Sequence, residues 1–489
     1  MGNLFSSPAG EYFSSLDTFC GANRKPDPAE WPLFEEKMKK EGCSDAAINA
    51  FKHNYFKLAS GADLMISEGS ISPVKALPSY EDLTEEDPEL LAKTVMLKLN
   101  GGLGTGMGLE KAKSLLKIRG SETFLDFIAK QVLYMRKAYG VPLAFMLMNS
   151  FSTSSDTLNA LRGYRGLASG DLDLEFQQNK APKVTAEDLT PASWPKSPGH
   201  EWCPPGHGDL YPAMVGSGTL DTLLAKGFKY AFVSNSDNLG ATMDLKLLTW
   251  FAKSGAPFAM ECCVRTDADK KGGHLARKGR KLLLRESAQC QDADEKKFQD
   301  ITRHKFFNTN NLWVDLEALK AAFTAYGGLL PLPVIKNGKT VDPRDKNSTK
   351  VLQLETAMGS AIECFEGAQA IVIPRSRFAP VKTTGDLMAL MSDAYEVTED
   401  HRMVLKPERE GVPPNVKLDG AYKFVDDLQK LIYYGAPSLV KCKKLTVEGP
   451  MITFDRNVVI VGSVTFKNAS GKKQTVKRGT YEDTEVVLA

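Results

Sequence analysis

Residues 94–116 read TVMLKLNGGLGTGMGLEKAKSLL, and this segment holds the residues best suited to bind phosphate. An apolar run, Val95–Leu99, ends in a loop carrying Gly101, Gly102, Gly104, Gly106 and Gly108, with Lys113 a few residues on. Glycines let the backbone approach a ligand and adopt positive φ, and successive free N–H groups in such a loop form a nest for anions. Lys113 can supply a point charge to a phosphate. A Walker P-loop requires a lysine directly after its last glycine, and none stands there. The GxGxxG dinucleotide fingerprint also fails, because its third glycine falls on Met107 counted from Gly102 and on Leu109 counted from Gly104.

Other residue types with chemical capacity lie further on. Asp237 in NSDN follows the strand-like run Ala231–Ser234, which puts it at the carboxyl end of a strand, where α/β sheets bind ligands. Its carboxylate could ligate Mg²⁺ or close an Asx turn. Lys382 shares the segment PRSRFAPVKT with Arg375 and Arg377, either a phosphate clamp or a solvated basic loop. His207 stands between Gly206 and Gly208, which suits a backbone close to a ligand; a hydrogen-bonded structural histidine is the alternative. Glu286, Asn308 and Asn310 offer the carboxylate and amides that a hydroxyl-rich ligand needs, and Gly272 and Gly273 allow it near. Residues 308–311 also read as a polar turn ahead of the strand NLWV.

These residues need a sheet to position them. Val95–Leu99, Leu143–Met148, Ala231–Ser234, Phe258–Val264 and Ala370–Ile373 are strand-like runs, and Thr123–Tyr139 between two of them is an amphipathic helix. Strand, loop and helix in alternation predict a doubly wound, mostly parallel α/β sheet with helices on both faces. Ahead of it, residues 1–27 form a Gly/Ser/Pro-rich arm, and Trp31, Phe34, Met38, Ala47, Ile48 and Phe51 recur at helical spacing. Behind it, LTVEGPMITF and NVVIVGSVTF are short β runs that fit the rungs of a parallel β-helix or a plain meander. The resulting division is 1–85 for arm and helices, 86–400 for the sheet domain, and 401–489 for a linker and the β tail.

Composition narrows the class. The 489 residues are 42% hydrophobic and 25% charged, with 62 Lys+Arg against 60 Asp+Glu, so no nucleic-acid partner is expected. The 8 cysteines form no CxxC pair and fit reduced thiols in the cytoplasm, with Cys262 and Cys263 buried in a strand. No apolar stretch is long enough to span a membrane and no signal segment is visible. The opening MGNLFSS matches the myristoylation pattern at Gly2, so a membrane partner is expected only if that lipid is attached.

The loop GGLGT followed by Lys113 is similar to that of sugar nucleotidyltransferases, and the chain from residue 90 to 395 resembles the eukaryotic UDP-glucose pyrophosphorylases. The resemblance rests on LMNSFST (147–153), FQQN (176–179), PPGHGDLY (204–211), VSNSDNLGAT (233–242), KKGGHLA (270–276), LRESAQ (284–289), FFNTNNLW (306–313), QLETAMG (353–359) and PRSRFAPVKT. The wording is nearest to protozoan members. Many members of the wider superfamily carry an arginine where Gly106 stands here. The resemblance implies Mg²⁺-dependent, reversible transfer of a uridylyl group from UTP to glucose 1-phosphate, giving UDP-glucose and pyrophosphate. It implies that Leu99, Asn100, Gly101, Gly102, Lys113, Met148, Gln178, Gly206, Asp237 and Lys382 bind UTP, with Gln178 reading uracil, Lys113 and Lys382 catalytic and Asp237 holding the metal. It assigns His207, Asn235, Ser236, Gly272, Gly273, Glu286, Asn308 and Asn310 to the sugar phosphate. It also implies that the β tail is a left-handed parallel β-helix, and a monomer is expected over a homo-oligomer. The nearest rivals are a UDP-N-acetylhexosamine pyrophosphorylase, a sugar-nucleotide binder without catalysis, and a membrane-anchored scaffold.

Overall fold

A computed structural model describes residues 28–488, so the arm over 1–27 and the Gly2 pattern lie outside the described residues. Two amphipathic helices come first, α1 (Trp31–Lys40) and α2 (Asp45–Ala59). A proline in the first turn starts α1, and Ser44 caps α2 by accepting the Ala47 N–H at 3.3 Å. Their apolar stripe of Trp31, Phe34, Ile48, Phe51 and Tyr55 packs on Ala181, Val184, Cys203, Val334 and Leu354.

The sheet domain runs β1 (Thr94–Leu99), α3 (Phe124–Tyr139), β2 (Ala144–Asn149), α4 (Ser154–Leu161), β3 (Glu175–Gln177), α5 (Leu210–Gly216), α6 (Thr219–Ala225), β4 (Tyr230–Asn235), α7 (Leu245–Ser254) and β5 (Phe258–Val264). It continues through β6 (His274–Lys278), β7 (Lys281–Arg285), β8 (Phe306–Asp315), β9 (Gln369–Val372) and α8 (Thr384–Met391). Strands β3, β2, β1 and β4 lie side by side and parallel. β8 then runs antiparallel to both β4 and β5, and β9 is parallel to β5. The sheet is therefore mostly parallel, with a reversed strand near its middle.

Alternate residues of each central strand enter different cores, which is why these strands are apolar throughout. Met96, Phe145, Leu147 and Phe232 pack against Phe127 of α3 and Leu248 and Phe251 of α7. Val95, Leu97, Met146 and Val233 pack against Leu210 and Tyr211 of α5 and Leu223 of α6. Lys98 departs from the pattern. It is fully buried, its Nζ donates to Ser234 Oγ at 2.7 Å and the Ala241 carbonyl at 2.6 Å, and burial pushes its ammonium down to about 7.

Residues 308–311 are not a turn before β8 but part of it. Glu261 faces Asn311 while Cys262 faces Asn308, so Thr309 and Asn310 form a bulge, with Asn310 at φ 59°. The Thr309 hydroxyl donates to the Glu261 carbonyl at 2.7 Å and fixes the bulge to β5. A bulge satisfies its polar side chains within the sheet, so a polar run reads as a turn in sequence. Cys262 and Cys263 are buried and unpaired, as expected of a strand interior.

In the tail, Asn415–Leu418, Ser438–Glu448, Val458–Asn468, Gly479–Glu482 and Glu485–Leu488 pair in parallel throughout, and Ile452–Phe454 is parallel to Gln474–Val476. A meander would pair antiparallel, so that alternative falls. Leu445, Val447, Ile460, Val464 and Phe466 belong to the same continuous core as Met96 and Leu387. Among the described residues no helix is long and apolar enough to cross a membrane.

A buried ion pair ties the sheet to the loop after β9. Glu261, with no exposure, accepts from Arg377 Nε at 3.0 Å and Nη2 at 2.9 Å, from Asn311 Nδ2 at 3.0 Å and from Trp313 Nε1 at 3.0 Å. Removing one partner of such a pair leaves an uncompensated buried charge, at about 3–5 kcal/mol. Arg377→Met should lower the thermal unfolding midpoint markedly; an unchanged midpoint in calorimetry would contradict this account.

Candidate active site

β1 and β4 are neighbours, yet the chain leaves β1 towards β2 on one side and reaches β8 on the other. Their carboxyl ends thus flank a topological switch point, where ligands of open α/β sheets bind. The glycine loop leaves β1 here and NSDN leaves β4. Asn100 locks the two together: its N–H donates to the Met148 carbonyl at 2.8 Å and its Nδ2 to Asn149 Oδ1 at 2.7 Å. Its Oδ1 accepts from the Ser236 hydroxyl at 3.0 Å, and the Ser236 N–H reaches the Leu99 carbonyl at 3.1 Å. Asn235 stands opposite Leu99 in register. Leu99, Asn100, Met148, Asn235 and Ser236 are thereby brought together.

The glycines serve different ends. Gly104 and Gly108 adopt left-handed φ of 66° and 76°, where L side chains are strained. Gly101 and Gly102 do not, so conformational freedom is not their reason. A Cβ on Gly101 would lie 2.5 Å from Gln178 Oε1, whereas one on Gly102 would meet open space. The Ser150 hydroxyl donates to the Gly101 carbonyl at 2.9 Å and holds the loop against the end of β2.

Lys113 draws three loops to one point. Its N–H donates to the Gly102 carbonyl at 3.2 Å, its Nζ pairs with Asp237 Oδ2 at 2.7 Å, and Nζ also donates to the Val381 carbonyl. The Val381 N–H returns to the Asp237 carbonyl at 3.3 Å. Lys382, the next residue, is exposed, and its ammonium has no partner among the described residues. Its backbone is fixed, since Asp386 accepts the N–H groups of Lys382 at 2.9 Å and Thr383 at 2.7 Å in the capping box of α8. Arg375 and Arg377 are committed elsewhere: Arg375 binds both oxygens of Asp269 at 2.9 and 2.8 Å, and Arg377 binds Glu261. Among the described residues no cluster of three or more His, Cys, Asp or Glu could hold a metal. Asp237 offers one hard carboxylate at the site, which suits Mg²⁺, an ion that takes one or two carboxylates and fills its remaining positions with phosphate and water.

On one side, the Gln178 N–H donates to the Asn149 carbonyl at 2.6 Å and its Nε2 to the Gly206 carbonyl at 3.0 Å. Gly206, at φ 83°, leaves no room for a side chain, because a Cβ would lie 2.5 Å from the Thr356 carbonyl oxygen. His207 Nδ1 accepts the Met358 N–H at 3.0 Å. On the other side, Gly273 is required by Glu286, whose Oε2 would lie 2.4 Å from a Cβ there. Gly272 is less tightly held; a Cβ there would lie 3.3 Å from the Asp269 carbonyl oxygen. Burial pushes the Glu286 carboxyl up, against the opposing pull of the Lys382 ammonium. The Asn308 N–H donates to the Gly273 carbonyl at 3.3 Å, and its Nδ2 donates to Asn310 Oδ1 at 2.7 Å. The turn at Met358 and Gly359 joins the two sides, since a Cβ on Gly359 would lie 2.7 Å from Asn308 Nδ2. Sequence reasoning missed Lys98, Asp209 and Glu261; each is a polar residue in an apolar or motif context whose partner lies on another segment.

Because His207 Nδ1 is an acceptor, the ring proton sits on Nε2, and burial lowers the ring pKa to about 4. The imidazole is therefore neutral at pH values well above that, with its Nε2–H available to donate. Nitrogen NMR should find the Nε2–H tautomer at neutral pH with a midpoint near about 4; a midpoint at the ordinary value of 6.5 would overturn the arrangement.

A family model for UTP–glucose-1-phosphate uridylyltransferase matches residues 48–461. The potato (Solanum tuberosum) UTP–glucose-1-phosphate uridylyltransferase is 40% identical over 83% of this chain and 83% of its own length. The Saccharomyces cerevisiae enzyme of the same name is 38% identical over 99% of this chain and 95% of its own. Among solved structures, a mutant of the Leishmania major UDP-glucose pyrophosphorylase in complex with UDP-glucose aligns with a TM-score of 0.89 at 47% identity, covering 94% of this chain and 99% of that one. A Trypanosoma brucei structure described as UDP-glucose phosphorylase aligns with a TM-score of 0.88 at 47% identity, covering 94% of this chain and 100% of that one. A family model over most of the chain, together with relatives near 40% identity along its length, means that the chain belongs to the UTP–glucose-1-phosphate uridylyltransferase family.

Proposed function

We propose that this chain transfers the uridylyl group of UTP to glucose 1-phosphate by a reversible, single in-line displacement. Membership of the family carries the overall conversion of UTP and glucose 1-phosphate into UDP-glucose. A phosphate oxygen of glucose 1-phosphate forms a bond to the α-phosphorus as the bond to the β-phosphate oxygen breaks, and pyrophosphate leaves with that electron pair. The attacking phosphate is already ionised near neutral pH, so no general base is needed. The protein's task is to hold two anions together and to stabilise charge that spreads over the α-phosphoryl oxygens.

The observation that carries this reading is the contrast between the two lysines. Lys113 is paired with Asp237, while Lys382 stands beside them without a partner among the described residues. Lys382 supplies the uncommitted charge for the α-phosphate and the sugar phosphate, and Lys113 holds the glycine loop to the same point. The glycine-loop backbone cradles the nucleotide, Gln178 meets the uracil edge, and His207 donates from Nε2 to the sugar phosphate. Glu286, Asn308 and Asn310 receive the glucose hydroxyls. Asp237 would hold Mg²⁺, which when bound neutralises the triphosphate and the leaving pyrophosphate. We further infer that the sheet domain of residues 86–400 is followed by a left-handed β-helix, a reading supported by its all-parallel pairing, and that the enzyme works in the cytoplasm.

Pyrophosphate release from UTP with a panel of sugar 1-phosphates tests the function, with glucose 1-phosphate expected as the preferred acceptor; no release with any of them would refute it. Lys382→Ala should lower kcat by about 10²–10³-fold with the unfolding midpoint unchanged, the scale of losing one transition-state donor. Near-normal turnover in the folded variant would remove Lys382 from the mechanism. Excess chelator should abolish activity, and full activity in its presence would rule out the metal.

A further inference from the structure

Asp209 is a carboxylate with only 4% exposure and no cation paired to it among the described residues. Among the described residues its oxygens accept only from Asn179, the backbone N–H at 2.7 Å and the side-chain amide at 3.0 Å. Burial without a counter-charge pushes its pKa up to about 7. A fold that only had to fill this space would do so at lower cost with an apolar side chain.

The bonds around Asp209 close into a ring. The Asp209 N–H donates to the Gly206 carbonyl at 3.2 Å. The same carbonyl accepts from Gln178 Nε2 at 3.0 Å. Gln178 is followed by Asn179, which returns to the Asp209 carboxylate. FQQN and PPGHGD, separate in sequence, are thus joined through one buried carboxyl group, and the residue at their junction is Gln178.

We propose that Asp209 is a positioning residue for base recognition, fixing through Asn179 and Gly206 which way round the Gln178 amide faces. The inference rests on the reading that Gln178 meets the uracil edge. An unconstrained glutamine amide can rotate by half a turn and exchange its donor and acceptor. Here rotation would set Oε1 against the Gly206 carbonyl oxygen, two acceptors facing each other, and would forfeit the Nε2 bond. The held amide presents one remaining donor and one acceptor in fixed order. Uracil offers an N3–H donor flanked by carbonyl acceptors. Cytosine offers an N3 lone pair and an amino donor, the reverse order. A freely rotating amide would serve both bases, whereas the held one serves uracil.

The test is the preference for UTP over CTP, measured as the ratio of kcat/KM values at saturating glucose 1-phosphate in Asp209→Ala, Asp209→Asn and Asn179→Ala. Asp209→Ala should lower the preference by about tenfold or more, because a site that reads by hydrogen bonds discriminates through their order. Asp209→Asn and Asn179→Ala, which each keep part of the ring, should lower it less, and KM for glucose 1-phosphate should stay within about twofold. A merely structural role would lower the melting point or overall activity and leave the base preference unmoved. If Asp209→Ala does not fold, the other two variants decide: a lowered preference supports the ring, and an unchanged preference in both overturns it. Gln178→Ala separates the two levels. If it keeps the preference, the uracil reading itself falls; if it loses the preference while the Asp209 and Asn179 variants keep it, only the positioning role falls.

Discussion

The carboxylate of Glu261 is the point on which the architecture turns. It sits in β5, fully enclosed, and four N–H donors from Arg377, Asn311 and Trp313 converge on it. Burying an ion is costly unless it is fully bonded, so its partners are held in one geometry or the pair fails. Two of those partners belong to β8 and the third to the loop after β9. Arg377 in turn presents its own carbonyl to Asn238 at 3.1 Å, within NSDN. One buried charge thereby sets the distance between the loop that carries Asp237 after β4 and the loop that ends at Lys382.

The site built on this frame divides its charges by function. The committed ones, Lys113 with Asp237 and Arg375 with Asp269, hold loops to one another. Lys382 is left exposed at the end of a loop whose backbone is pinned by a helix cap. Its ammonium can move to an anion without carrying the backbone along. The bulge in β8 applies the same division around Asn308: backbone strain at Asn310 turns two asparagines towards each other while the strand continues past them.

Much of this was legible in the sequence, for a physical reason. A strand that must be buried on both faces is apolar throughout, and a loop that turns through positive φ and packs closely is rich in glycine, so β1 and its loop announce themselves locally. The parallel strands and the helix Phe124–Tyr139 follow from periodicity to within a residue or two. The roles of Glu261 and Asp209 were not legible. Glu261 stands in FAMECCV, where a lone charge in an apolar run carries no sign of its partner, which lies 116 residues away. Asp209 was visible only as part of a motif. The β8 bulge was hidden because an asparagine-rich run looks the same whether its polar groups face water or each other. The distinct reasons for Gly101 and Gly104 were likewise hidden, since close approach and positive φ call for the same residue.

The bond between Lys113 and the Val381 carbonyl joins residues 268 positions apart. At a synthesis rate of about 5–20 residues per second, the glycine loop leaves the ribosome on the order of tens of seconds before its last partner exists. β1, β2 and β3 are consecutive and adjacent, so that part of the sheet can assemble as it emerges. The switch point cannot, because β4, β8 and the Lys382 loop arrive in turn and each closes a longer stretch of chain. A nascent chain stopped short of Val381 holds a glycine loop whose Lys113 has Asp237 as a partner but not the Val381 carbonyl. The last bond that holds the glycine loop in place is therefore gained late, after most of the chain has been made.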